Sequence, residues 1–144
     1  MSAPTVVANP NTPLGTLIIA AQLRSDSFHH VITATPSASG GLTFSAWGSS
    51  AIFAAGTFYG NGPALSITPD GSQLNFFATL INQSTWQGNV VNLTSTNNGA
   101  SWGNLALLGT DIRDTPGATS PDSTHTYVIG IGSDGRPYLD PWVP

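Results

Sequence analysis

The sequence predicts an all-β chain made of three consecutive repeats of about four strands each, and three observations lead there. The first is composition: the 144 residues include no Lys, Glu or Cys, so the long flexible helix formers are nearly absent, while Gly 16 and Pro 11 join abundant Ser, Thr and Asn. Turn chemistry and β-preferring side chains therefore dominate. The second is recurrence: Asp26-Ser27-Phe28-His29-His30-Val31-Ile32, Asp70-Gly71-Ser72-Gln73-Leu74-Asn75-Phe76 and Asp122-Ser123-Thr124-His125-Thr126-Tyr127-Val128 each read as a turn leading into an apolar strand. Their spacing, roughly 45 to 50 residues, is that of a four-stranded propeller blade. The third is a set of hairpin signals, Gly40-Gly41, Asn97-Asn98-Gly99 and Ser133-Asp134-Gly135, where positive φ is wanted.

On that register the first strands are Thr16 to Leu23, Ala64 to Thr68 and Gly117 to Ser120, and the second strands are His29 to Thr35, Leu74 to Ile81 and His125 to Ile131. The third strands are Leu42 to Trp47, Val90 to Ser95 and Arg136 to Trp142; the fourth are Ala51 to Phe58 and Leu105 to Ile112. The chain is thus read as a single domain, 1–144, with repeats at about 13–59, 60–114 and 115–144. No fourth strand follows Trp142, and the short β stretch Thr5-Val6-Val7-Ala8 is expected to complete the last blade, in this chain or in a partner. A β-sandwich or jelly roll of about a dozen short strands is the alternative fold; the resemblance of the three units to one another favours a propeller.

Three blades do not close a ring, because propellers typically need about four to eight. A half ring would expose an apolar blade face at each end, with Leu17, Ile19, Phe53, Ile129 and Ile131 available to those faces. A two-fold homodimer would cover both ends and make six blades. The expected fold is therefore three four-stranded blades per chain in a homodimeric six-bladed β-propeller.

Bulk charge narrows the partners. A net charge of -4 with three scattered Arg leaves no basic patch for nucleic acid or for an anionic membrane surface. No apolar run reaches membrane-spanning length, and residues 1–11 lack the basic and apolar regions of a secretion signal, so a soluble protein, cytoplasmic or exported by a non-classical route, is expected. No Cys means no disulfide and no thiolate metal site. No cofactor is expected. Asn82-Gln83-Ser84 and Asn92-Leu93-Thr94 match the glycosylation sequon.

The short repeating chain resembles the small oligomeric lectins that assemble a six-bladed propeller from short subunits, without the repeated Trp, Arg and Glu pattern of the fucose-binding members. That resemblance implies glycan binding at several shallow sites, with avidity from their repetition on a rigid ring. Ser95-Thr96-Asn97-Asn98-Gly99-Ala100-Ser101-Trp102 is similar to the Asp-box of sialidases, S-x-D-x-G-x-T-W, with Asn97 at the Asp position and Ser101 at the Thr position. The similarity implies a hairpin between the third and fourth strands of a blade, capped by the Asn97 side chain, with Trp102 packed beneath.

Candidate ligand contacts follow from sugar chemistry, which pairs apolar C–H faces with hydroxyls and so favours an aromatic platform flanked by short polar groups. Trp47, Trp102 and Trp142 fall near third-strand ends, and Trp86 lies in the polar loop from Asn82 to Gly88; each is a candidate platform, and inter-blade packing is the competing role. His29, Gln73 and His125 share a repeat position and could meet hydroxyls. Arg24, Arg113 and Arg136 could bind a carboxylate or pair with Asp26, Asp111, Asp114 or Asp134; Arg24 and Arg136 are kept as ligand candidates. Asp26, Asp70 and Asp122 are read first as turn caps. Chemistry has weak support: nothing singles out a pair of carboxylates for glycoside hydrolysis, and His29 and His30 point to opposite faces of a strand and cannot share a metal. The reading is a non-enzymatic glycan-binding lectin; a structural or surface assembly protein is the alternative, with a glycoside hydrolase-like propeller behind it.

Overall fold

The computed structural model describes residues 4–22, 28–46, 62–81, 85, 87–112 and 114–143. Eleven strands are found among them, numbered here in chain order: β1 Thr5–Ala8, β2 Leu17–Gln22, β3 His29–Pro36, β4 Leu42–Phe44, β5 Ala64–Ile67, β6 Leu74–Ile81, β7 Gly88–Ser95, β8 Ala106–Thr110, β9 Gly117–Thr119, β10 Thr126–Ile131 and β11 Pro137–Trp142. None of the described residues is helical, so no helix among them could cross a membrane. The strands form three antiparallel meanders, β1-β2-β3-β4, β5-β6-β7-β8 and β9-β10-β11.

Burial patterns show how the sheets stack. Along β6 the six residues from Leu74 to Thr79 are all buried, the signature of a sheet covered on both faces. Along β10, by contrast, Thr126, Val128 and Gly130 are buried while Tyr127, Ile129 and Ile131 are exposed, so the third sheet is covered on one face only. The second sheet is therefore the middle layer. Its face carrying Leu65, Leu74, Phe76, Ala78, Val91 and Leu93 packs on Ile18 and Ala20 of the first sheet. The opposite face, with Ala64, Phe77 and Val90, packs on Val128 and Ile112. Phe76 and Phe77, adjacent in sequence and both at 0% exposure, thus serve two different junctions. Each contributes about 1.5–3 kcal/mol by leaving water. The sheets approach through their first strands, β1 against β5 and β5 against β9.

Polar groups at the second junction are matched rather than stranded. Gln73 Nε2 donates to Asn75 Oδ1 at 2.9 Å, Asn75 Nδ2 donates to Thr126 Oγ1 at 3.2 Å, and the Thr126 hydroxyl is bonded to Ser120 at 2.8 Å and through it to Ser66 at 3.0 Å. Asn75, Thr126 and Ser66 are buried, so this chain of bonds fixes how the two sheets align.

Two expectations are corrected. Thr5–Ala8 is a strand, but it does not complete the third sheet; it pairs along its whole length with β2, Val6 opposite Ile19 and Val7 opposite Ile18. The turn from Asn9 to Thr16 enforces this, with the Asn9 N–H donating to Thr16 O at 2.8 Å and Gly15 at φ 70°. The first repeat is consequently displaced by one strand: Leu17–Gln22 is the second strand of its sheet, His29–Pro36 the third and Leu42–Phe44 the fourth. The expected strand Ala51 to Phe58 lies outside the described residues. The repeat the fold obeys is Asn9-Pro10-Asn11, Thr68-Pro69-Asp70 and Ser120-Pro121-Asp122, each directly following a first strand.

Candidate functional site

The β7–β8 hairpin is built from its turn outward. Asn98 and Gly99 take φ of 58° and 84°, and the Ala100 N–H donates to Asn97 O at 3.2 Å, the two-residue turn that matches strand twist. Asn97 Oδ1 accepts from the Ser101 N–H at 2.9 Å and from the Ser95 hydroxyl at 2.9 Å; Ser95 Oγ in turn accepts from the Gly99 N–H at 2.9 Å. Asn97 Nδ2 donates to Ser101 Oγ at 2.7 Å, and the Gly103 N–H closes the loop on Thr94 O at 2.8 Å. The hairpin joins the third and fourth strands of the second sheet, and the residue at the Asp position caps it.

Trp102 follows directly and is half-buried. Its ring stands edge-on to Phe76, 5.7 Å between centroids and 68° between planes. With one side committed to the core, it also lines a shallow pocket of about 280 Å³ formed with Thr94, Ser95, Thr96, Ser101 and Gly103. An indole surface beside the exposed hydroxyl side chains of Thr96 and Ser101 is the pairing that carbohydrate recognition uses. The hydroxyls were not anticipated as ligand contacts; the signal was the Thr94-Ser95-Thr96 run before the turn and Ser101 after it, which a hairpin must bring together.

The remaining candidates are dispersed. Trp142 stands edge-on to Phe77 at 6.3 Å and 85°, at the junction between the second and third sheets, so it and Trp102 serve opposite faces of the middle sheet and cannot share a ligand. His29 is corrected from ligand contact to core: it is 2% exposed and set edge-on to Phe76 at 5.7 Å. Gln73 is engaged in the bond to Asn75 described above. Arg136 is exposed, its Nε 3.7 Å from Asp134 Oδ2, a local pairing. Trp47, Trp86, Arg24 and Arg113 lie outside the described residues. Of the two sequons, the side chain of Asn92 is buried and donates to Phe76 O at 3.3 Å, so the folded chain does not offer it for glycosylation; Asn82 lies outside the described residues.

The Asp positions of the second and third sheets are turn caps. The Asp122 carboxylate accepts from the N–H of Thr124 at 2.8 Å and of His125 at 2.7 Å, and lies 2.9 Å from the exposed His125 ring. The Thr124 N–H and hydroxyl, followed by His125, hold its pKa down at about 2. Hydrogen bonds from the Thr68 hydroxyl and then Ser72 hold Asp70 still further below the ordinary carboxylate range. At the opposite end of the sheets, the Tyr138 hydroxyl donates to Asp134 Oδ2 at 2.9 Å, which raises the phenol pKa. Among the described residues no three His, Asp, Glu or Cys side chains are placed to share a metal ion.

Compared with family models, curated proteins and solved structures, the chain matches none of them.

Proposed function

We propose that the chain is a non-enzymatic carbohydrate-binding protein, three blades of a β-propeller that holds a sugar against Trp102. The observation that carries this reading is the pocket at the β7–β8 hairpin, where Trp102 offers an apolar surface and the exposed Thr96 and Ser101 side chains offer hydroxyls at the rim of one shallow depression. A sugar ring laid on the indole keeps its C–H face out of water while its own hydroxyls bond at the rim. A site this open and small gives weak single-site affinity, so useful binding comes from several copies engaging clustered glycans. Three successive meanders joined through their first strands support the blade reading.

A second reading, a structural or surface assembly protein, is favoured by the apolar outer face of the third sheet, where Ile129, Ile131 and Leu139 are exposed. A glycan array separates the two. The lectin reading expects a defined set of glycans bound by the wild-type chain and lost in Thr96→Ala, which leaves the turn bonds intact. A flat array with folded protein removes it.

A further inference from the structure

The second and third sheets meet closely through their first strands and stand further apart at β8 and β11, and the space left there is an apolar cavity of about 220 Å³. Its floor is Val90 of β7, Val128 of β10 and Ile112, which are 3–7% exposed. One wall is made by a β-bulge. Val90 is opposite Gly109 while Val91 is opposite Leu107, so Leu108 is the extra residue and shares with Gly109 the face that looks toward the third sheet. Leu108 packs on the core there, whereas Gly109 brings no side chain, and nothing lies within 4 Å of its Cβ position. The cavity thus exists because Gly stands at 109, and a Val there would fill it.

The opposite wall is β11. Tyr138 and Asp140 stand opposite Gly130 and Val128, share their inward face and line the cavity. The Tyr138 hydroxyl is held by Asp134 at 2.9 Å and its ring lies over Gly132, so the ring is fixed in place. Asp140 is half-buried, and among the described residues its carboxylate has neither a hydrogen bond nor an ion pair. A carboxylate set beside apolar side chains calls for a partner that this chain does not supply. The adjoining pocket around the Tyr138 hydroxyl is lined by Asp111 and Asp134, while Arg136, the cation next to them, is exposed and 3.7 Å from Asp134. The mouth of the cavity is therefore negative, over an apolar floor.

We propose that this cavity binds a small organic cation, an apolar ring or short branched chain carrying one ammonium group, with the apolar part on Val90, Val128 and Ile112 and the ammonium on Asp140 beside the Tyr138 ring. Size sets the class: a cavity of about 150 Å³ takes up benzene, so 220 Å³ holds about eight or nine non-hydrogen atoms. Charge sets the head group. A neutral apolar guest would strand the Asp140 carboxylate, which only accepts, whereas an ammonium satisfies it and gains from the tyrosine ring as well. A sugar is a poor occupant, because the apolar floor offers its hydroxyls no partners. A strand from another chain is not the occupant either. The Gly132 N–H donates to Arg136 O at 2.9 Å, and antiparallel ladders alternate bonded and non-bonded pairs, so Pro137, Leu139 and Pro141 have their backbone nitrogens facing away from β10. Two of those three have no N–H to give, which closes the free edge of β11 to strand addition. The site lies on the face of the middle sheet opposite to Trp102 and does not depend on sugar binding.

The test uses the whole chain, with benzylamine as the probe and benzyl alcohol as its neutral counterpart of the same size. Methyl NMR signals of Val90, Leu108, Ile112 and Val128 report the cavity directly. Benzylamine is expected to shift them saturably with a Kd of about 1 mM, and benzyl alcohol to bind about tenfold more weakly. Asp140→Asn removes no side-chain bond of the folded chain and is expected to weaken benzylamine about tenfold while leaving benzyl alcohol unchanged. Gly109→Val, with far-UV circular dichroism unchanged, is expected to abolish binding of both. Methyl signals that benzylamine does not move overturn the proposal. So does an Asp140→Asn chain that binds benzylamine as the wild type does, or a benzyl alcohol affinity equal to that of benzylamine, since either would mean that the carboxylate selects nothing.

Discussion

The carbonyl oxygen of Ile112 occupies the place where a side chain on Gly88 would begin, and the Ile112 N–H donates to Gly88 O at 3.0 Å. Ile112 also bridges to Gly132, and its Cγ2 stands 2.8 Å from where a Cβ on Gly130 would be. The residue leaving the second sheet is thus threaded between two strands, and glycines at Gly88 and Gly130 are what admit it. Gly88→Ala sets a methyl group against backbone that cannot step aside, and a loss of about 2–3 kcal/mol in urea unfolding is expected. Gly109→Ala is the control: nothing lies within 4 Å of its Cβ position, and the change should be neutral or stabilising by up to about 1 kcal/mol.

The Asn97 side chain serves the hairpin that shapes the candidate pocket. Asn97→Ala leaves the Ser101 N–H and the Ser95 hydroxyl without their acceptor and should cost about 1 kcal/mol. Asn97→Asp keeps the acceptor and should stay within about 0.5 kcal/mol of wild type. Thermal melts of the two variants side by side decide it; equal losses would mean that the turn is held by backbone alone.

Acid should destabilise the chain over a defined window. Both Asp70 and Asp122 have folded pKa values below their unfolded value of about 3.9, so their contribution is present above about pH 4 and is lost as the pH falls toward 2. The melting temperature should therefore drop between pH 4 and pH 2. Asp70→Asn with Asp122→Asn should lower it at pH 6 and flatten the drop. A double variant with the wild-type slope would place the acid sensitivity elsewhere.

The prolines of β11 protect an edge. Pro137→Val with Pro141→Val restores two outward N–H groups next to exposed Leu139 and should promote strand-mediated association, read as thioflavin-positive or high-mass material at concentrations where wild type stays clear. Clear solutions of the double variant would show that the edge is blocked by something other than the missing donors.

Strand locations were largely legible in the sequence because alternation and turn residues are local signals. Leu74–Ile81 and Thr5–Ala8 agree with the expected bounds, and Gly117–Thr119 and Pro137–Trp142 fall within a residue of theirs. What was not legible was which strand begins the first sheet. Asp26-Ser27 before His29-His30 imitates the Asp turns at Asp70 and Asp122, whereas the true counterpart, Asn9-Pro10-Asn11, carries Asn in place of Asp and a longer loop. An edge pairing such as β1 with β2 is decided by the loop joining them, here the Asn9 and Gly15 geometry, and composition does not report it. The site divides in the same way. Trp102 and its turn follow from a contiguous motif, while the burial of His29 against Phe76 depends on sheet stacking and is invisible along the chain.

The indole N–H signals of the four Trp residues offer the most direct measurement, because each reports its own ring during a titration with simple sugars. Recognition at the β7–β8 hairpin predicts that one signal, the one absent from Trp102→Phe, shifts saturably with at least one monosaccharide while that of Trp142 stays still. If no sugar moves the Trp102 signal, or if sugars move a different indole instead, the account of this pocket is wrong.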